Sequence, residues 1–204
     1  MQPTADGSNH TQSLPTWSQF LGQYKDFIWA CDFFTVTTAR LRTFYVLFFI
    51  ELGRRRLLLF NVTEHPQAEW VVQQVRNLSV QHDHLPRFIL HDRDGKFSEE
   101  FDACAEGNGA KIIKLPARSP NLNAYAERWV RSVREECLDQ IIVLGEGHLR
   151  YVLKQYVEYF MKRRPHQSLK QQVPDRREEF PTTGRIRCHQ VLGGLINDYY
   201  REAA

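Results

Sequence analysis

The chain has 204 residues, 42% hydrophobic, 25% charged and 12% aromatic, with a formal net charge of +3. That length holds one domain of ordinary size or two small ones, and 13 Phe, 8 Tyr and 4 Trp supply a core, which excludes a wholly disordered chain. The longest apolar run, Phe44 to Ile50, suits a buried strand and is far short of the roughly 20 residues of a membrane helix; the polar N-terminus lacks the apolar stretch of a signal peptide.

In chain order, residues 1–15 read as a flexible leader, followed by a short amphipathic piece from Trp17 to Tyr24. Three strands come next: Phe27 to Phe34, Arg42 to Glu51 and Arg56 to Val62, rich in aromatic or β-branched residues. Gly53-Arg54-Arg55 is the turn between the second and third, and the lengths fit an antiparallel meander. The period then changes. With Thr63 as N-cap and Pro66 in the first turn, residues 66–78 place Trp70, Val71, Val75 and Leu78 on one helical stripe. A strand follows at Arg87–His91, a helix at Ser98–Ala105, a strand at Lys111–Leu115 and a loop at Pro116–Asn121. Helices are predicted from about Leu122 to Asp139 and Glu146 to Lys162, then a late strand at Arg185–Val191 and a terminal amphipathic piece. A meander followed by βαβ crossovers implies an α/β fold with a mixed five-stranded sheet, flanked by helices.

Basicity is local. Residues 111–137 hold six bases against three acids and residues 162–187 hold eight against three, so the rest of the chain is net acidic. A basic second half suits contact with a polyanion. Cys31, Cys104, Cys137 and Cys188 form no C-x-x-C pair, which argues for reduced thiols of a cytosolic protein rather than a disulfide framework. His82-Asp83-His84 lacks a second half for a metal clip, and the sequons at Asn9, Asn61 and Asn77 are chance matches without secretion.

Three acids stand out. Asp32 lies inside an apolar segment, where a carboxylate needs a metal, a partner or backbone donors to offset burial. Asp92 follows a strand directly, where α/β proteins collect functional groups. Glu127 lies early in a helix and shares a face with Asn123 and Arg131, at i, i+4 and i+8. Together they can offer the hard oxygen ligands that divalent cations prefer. Glu135 and Glu136 read as surface charge.

The segments WACDFF, HDRDGKF, SPNLNAYAERWVRSVREECLD and RRPHQSL resemble the catalytic core of the retroviral integrase superfamily, specifically bacterial DDE transposases of the integrase-core type. The resemblance runs from roughly Thr16 to Pro174, dividing the chain into a leader (1–15), a catalytic core (16–174) and a basic C-terminal extension (175–204). It implies a ribonuclease H-like fold and DNA strand cleavage and transfer with two Mg²⁺ or Mn²⁺ ions. Carried over by motif, Asp32 is the first acid and Glu127 the last. For the middle acid, the motif aromatic Phe97 points back to Asp92 rather than Asp94, and the 34 residues between Asp92 and Glu127 lie close to the family spacing. Arg93 stands where the family motif has Asn, Thr37 near where related chains often carry an acid, and Met161 where Asn is common.

The resemblance further implies DNA as partner, with Lys96, Arg118, Asn123, Arg128, Arg131 and Arg134 as candidate contacts and the Pro116–Asn121 loop as an active-site flap. It implies a homo-multimer on DNA, no membrane, and a nucleoid-associated bacterial setting. About 30 residues precede Asp32, too few for the helix-turn-helix module usual in such transposases, so end recognition is expected from another domain or subunit. The competing readings are a ribonuclease H-like nuclease without strand transfer and a catalytically silent, transposase-derived DNA-binding protein.

Overall fold

A computed structural model describes residues 16–115, 123–175, 181 and 183–202. A helix, α1 (Trp17–Tyr24), opens the described chain; its N-cap Thr16 and Gln19 form a reciprocal capping box. The sheet is built from β1 (Ile28–Thr37), β2 (Thr43–Glu51), β3 (Leu57–Thr63), β4 (Phe88–His91) and β5 (Lys111–Lys114), in the order β3-β2-β1-β4-β5. β1, β2 and β3 pair antiparallel as a meander, while β4 and β5 join parallel to β1 and to each other. This is the mixed five-stranded sheet expected from the sequence.

Strand alternation divides the core in two. Ile28, Ala30, Phe34 and Val36 of β1, with Phe44, Val46, Phe48 and Ile50 of β2, face one apolar cluster that includes Trp129, Val133, Leu149, Leu153 and Tyr156. The intervening residues Trp29, Cys31, Leu47 and Phe49 face the other cluster, against Val71, Val75, Leu78 and Phe101. The helices that supply these partners are α2 (Ala68–Gln81) and α3 (Glu99–Gly107) on the second face, and α4 (Ala124–Glu136) and α5 (Glu146–Lys162) on the first. Each strand of the meander is therefore covered on both sides, which explains its near-continuous apolar sequence.

Three local readings are corrected. Thr63 does not cap α2: its hydroxyl accepts from the His65 amide at 3.1 Å in a tight turn, and the N-cap is Gln67, so Pro66 precedes the helix. The terminal piece is a strand, β7 (Ile196–Arg201), which pairs antiparallel with the expected late strand, β6 (Ile186–Val191). This hairpin is tied to the end of α5 by Arg163, which meets Asp198 at 2.9 Å and stands 5.6 Å over the Tyr200 ring. Glu136, read as surface charge, is partly buried and ion-paired with Arg164, which bonds it through both Nε and Nη2; Tyr156 Oη donates to it at 3.0 Å. Among the described residues, no helix is long and apolar enough to cross a membrane.

Candidate active site

Asp32 sits on β1 with the even-numbered residues, on the face covered by α4. The parallel pairing of β1 with β4 runs Ile28 with Phe88, Trp29 with Ile89 and Ala30 with Leu90. The pairing ends at Ala30 with Leu90 and β4 ends at His91, so Asp92 lies just past the end of the strand that runs beside the one carrying Asp32. Glu127 occupies the exposed side of the first turn of α4.

Asp32 lies within the field of the other acids. Burial pushes the Asp32 carboxyl up to about 7 from 3.8; the Phe33 amide opposes this, and the charges of Asp92, Asp94 and Glu127 raise it further. Asp32 accepts from the Phe33 amide at 2.7 Å on Oδ1 and from Asn123 Nδ2 at 3.0 Å on Oδ2. Both donors are neutral, so no cation on the described residues bonds it. Asn123 is the N-cap of α4 yet makes no capping bond with its side chain. Its amide is spent on Asp32, and its buried Oδ1 has no partner among the described residues.

Asp92 and Asp94 are separated by their partners. Asp92 Oδ1 accepts the Asp94 amide at 3.0 Å, closing a turn at the end of β4. Asp94 is ion-paired with Lys96, whose amide also bonds its Oδ1 at 2.9 Å. Although burial pushes the other way, these Lys96 contacts hold the Asp94 carboxyl below its ordinary value. Lys96 is itself sandwiched, its Nζ 5.2 Å from the Phe33 ring and 5.5 Å from the Tyr45 ring.

The other expected contacts fall in different places. Arg134 Nη2 donates to the Thr35 carbonyl at 2.7 Å, fastening α4 to β1. Arg128 and Arg131 are exposed and form no hydrogen bond or ion pair with the described residues. Arg118 and the Pro116–Asn121 loop lie outside the described residues. On the opposite face of the sheet, His91 is buried, with Nε2 3.0 Å from Asp102 Oδ1, while Lys114 pairs with the other carboxylate oxygen at 2.5 Å. Sequence reading missed this chain because its members lie on three elements. Burial, then the charges of Asp32, Asp92 and Asp102, drive the adjacent Cys31 thiol well above its usual range, so it stays protonated.

As the side chains stand, no three acidic, His or Cys groups among the described residues are gathered tightly enough to hold a metal ion. The donor set nevertheless fits one. Carboxylate oxygens are the ligands that Mg²⁺ and Mn²⁺ prefer, and the like charges around Asp32 are of the kind a divalent cation would relieve.

A mixed sheet in this order, flanked by helices on both faces, is the fold shared with solved integrase and transposase catalytic cores. The fold is similar to the catalytic domain of Mos1 mariner transposase, with a TM-score of 0.59 at 13% identity over 70% of this chain and 75% of that one. That domain has also been solved with Mn and with Mg. The catalytic core domain of BIV integrase aligns with a TM-score of 0.56 at 13% identity, over 73% of this chain and 91% of its own. Residues 108–174 match the family described as Integrase core domain. An insertion element IS407 protein of Burkholderia multivorans is 25% identical over 114 residues, 55% of this chain. The chain spans 41% of that relative's length. The resemblance read from the sequence is thus borne out.

Proposed function

We propose that this chain is the catalytic core of a DNA transposase of the integrase type, cleaving DNA strands and joining the freed ends to a target. The observation that carries the reading is Asp32 itself: a carboxyl on β1 that no cation on the described residues meets, held by Asn123 at the start of α4, and raised to about 7 by burial and by the charges of Asp92, Asp94 and Glu127. Asp32, Asp92 and Glu127 would hold two Mg²⁺ or Mn²⁺ ions, which when bound supply activation of the attacking oxygen and stabilisation of the departing one. Mos1 transposase, solved with both metals, supports that choice.

The protein's own groups set the stage. The paired strands fix Asp32 and Asp92, and Asn123 orients Asp32 through its Oδ2. Lys96 neutralises Asp94 and so leaves Asp92 as the middle acid. Arg128 and Arg131, beside Glu127, meet DNA phosphates, while Arg134 holds the helix that carries Glu127. Bringing two DNA ends together calls for a homo-multimer, with end recognition supplied by another domain or subunit.

The test is cleavage of a labelled duplex bearing the element's ends, with Mg²⁺ or Mn²⁺, for wild type and Asp32→Asn. Nicked and joined products from wild type alone are expected. Nicks without joining would leave a nuclease, and equal inactivity of both proteins would leave a DNA-binding protein.

A further inference from the structure

His91 is the last residue of β4, and its ring is buried on the second face of the sheet. It packs against Phe97, with ring centroids 4.6 Å apart, and against Phe101, at 5.4 Å, both members of the second apolar cluster. A polar ring in such surroundings needs a partner for each nitrogen. Both are met: Nδ1 lies 2.5 Å from the carbonyl oxygen of Asp92, and Nε2 lies 3.0 Å from Asp102 Oδ1. Carbonyl and carboxylate oxygens only accept, so both ring nitrogens serve as donors.

The first of these bonds acts on Asp92. The ring holds its main-chain carbonyl, while the Asp94 amide holds its side chain through Oδ1 at 3.0 Å. Asp92 is thus pinned at two points, and its Oδ2 is left without a hydrogen bond from the described residues. The residues on either side are tied to the end of β5: the Leu115 amide donates to the His91 carbonyl at 2.9 Å, and Arg93 Nε to the Leu115 carbonyl at 3.3 Å.

The second bond anchors the ring. Asp102 stands in the first turn of α3, and both its oxygens are used, Oδ1 by His91 and Oδ2 by Lys114 Nζ at 2.5 Å. α3 is in turn fixed by the fully buried Phe101, packed on Phe97 and Phe49. A line of contacts therefore runs from β5 through α3 and β4 to the main chain of Asp92. Stability alone does not call for it, because apolar residues of similar volume commonly stabilise a core at least as well as a buried ionic chain.

We propose that His91 is a positioning residue for the candidate site: backed by Asp102 and Lys114, it holds the main chain of Asp92 so that the free carboxylate oxygen is presented to a divalent cation. The proposal rests on the catalytic reading of Asp92 and adds to it a part that touches neither metal nor DNA. Groups behind metal ligands commonly set affinity through orientation in this way.

The experiment measures Mn²⁺ binding to the full chain without DNA, at one fixed pH, from the electron paramagnetic resonance signal of the free ion. Thermal melting is recorded on the same samples. Wild type is expected to bind Mn²⁺ and Asp32→Asn to bind it more weakly, which scores the catalytic reading by itself. His91→Phe keeps a ring against Phe97 and Phe101 but has no donor, and its Mn²⁺ dissociation constant is expected to rise about tenfold. His91→Asn gives up the ring packing, yet its Nδ2 stands where Nδ1 stood and restores the bond to the Asp92 carbonyl. It is expected to melt lower than His91→Phe and to bind Mn²⁺ more tightly. That inversion separates positioning from core filling, for which affinity would follow stability and His91→Asn would bind no better than His91→Phe. Lys114→Gln changes a half-exposed side chain and keeps the proposal testable if the buried variants do not fold; a rise of about twofold is expected. Wild-type affinity in His91→Phe, or in Lys114→Gln where the His91 variants do not fold, overturns the proposal and leaves the catalytic reading standing. Absence of Mn²⁺ binding by wild type, or equal binding by wild type and Asp32→Asn, overturns both.

Discussion

Two carboxylates at the seam between the sheet and α4 to α5 are treated in opposite ways. Glu136 is met by the Arg164 guanidinium and by the Tyr156 hydroxyl, which is itself fully buried. Among the described residues Asp32 receives the neutral Phe33 amide and Asn123 side chain, with Asp92, Asp94 and Glu127 adding repulsion. The first carboxylate is met by a cation and the second by none on the described residues. Unfavourable charge that a fold could have removed, and did not, is a mark of function.

The largest expected contrast comes from Asp32→Asn. Cleavage should fall by more than about 100-fold, since even groups that merely orient metal ligands reach that scale. The same variant should melt no lower than wild type, because the Asn side chain keeps an acceptor for the Phe33 amide, and its new N–H₂ can meet the orphaned Asn123 Oδ1 once that amide flips. Thermal melting and a cleavage assay on one preparation check both halves. At the other carboxylate the outcome inverts. Arg164→Ala strands Glu136 in a partly buried position, and a loss of about 2 kcal/mol of stability is expected in urea titration. Stability of Arg164→Ala equal to wild type would break the comparison.

A smaller effect tests the orienting bond. Asn123→Ala should raise the Mg²⁺ concentration for half-maximal cleavage about tenfold, since it removes a donor that holds a proposed ligand. A further prediction concerns pH. Asp32 titrates near 7 in the folded protein and near 3.8 ordinarily. Between those values the folded state retains a proton that the unfolded chain has released. The stability linked to that proton therefore falls as pH rises towards and through 7. Asp32→Asn carries no such proton, so its advantage over metal-free wild type should grow by about 2.5 kcal/mol between pH 5 and pH 8, measured by denaturant titration.

Much of this was legible in the chain, for identifiable reasons. The meander could be read because its strands are apolar on both faces, and α5 because its helical period runs unbroken from Glu146 to Lys162. Asp32 betrayed itself as a charge in an apolar run. Glu136 did not, because its cationic partner lies 28 residues away and only folding joins them. β7 was hidden by Asn197 and Asp198, turn-prone residues that here sit in a paired strand. Arg55 read as a turn residue, and its contact with the Tyr125 ring came only with the fold.

The missing side-chain cap of α4 has a consequence for how the site assembles. Its N-cap, Asn123, uses its side-chain amide to hold a strand rather than to secure the helix that follows. The start of that helix and the orientation of Asp32 are thus one cooperative unit: fraying at the first turn releases the acid, and fixing the acid suppresses fraying. Hydrogen exchange at the leading amides of α4 would therefore respond to any change in the hydrogen bonding of Asp32 on the neighbouring strand.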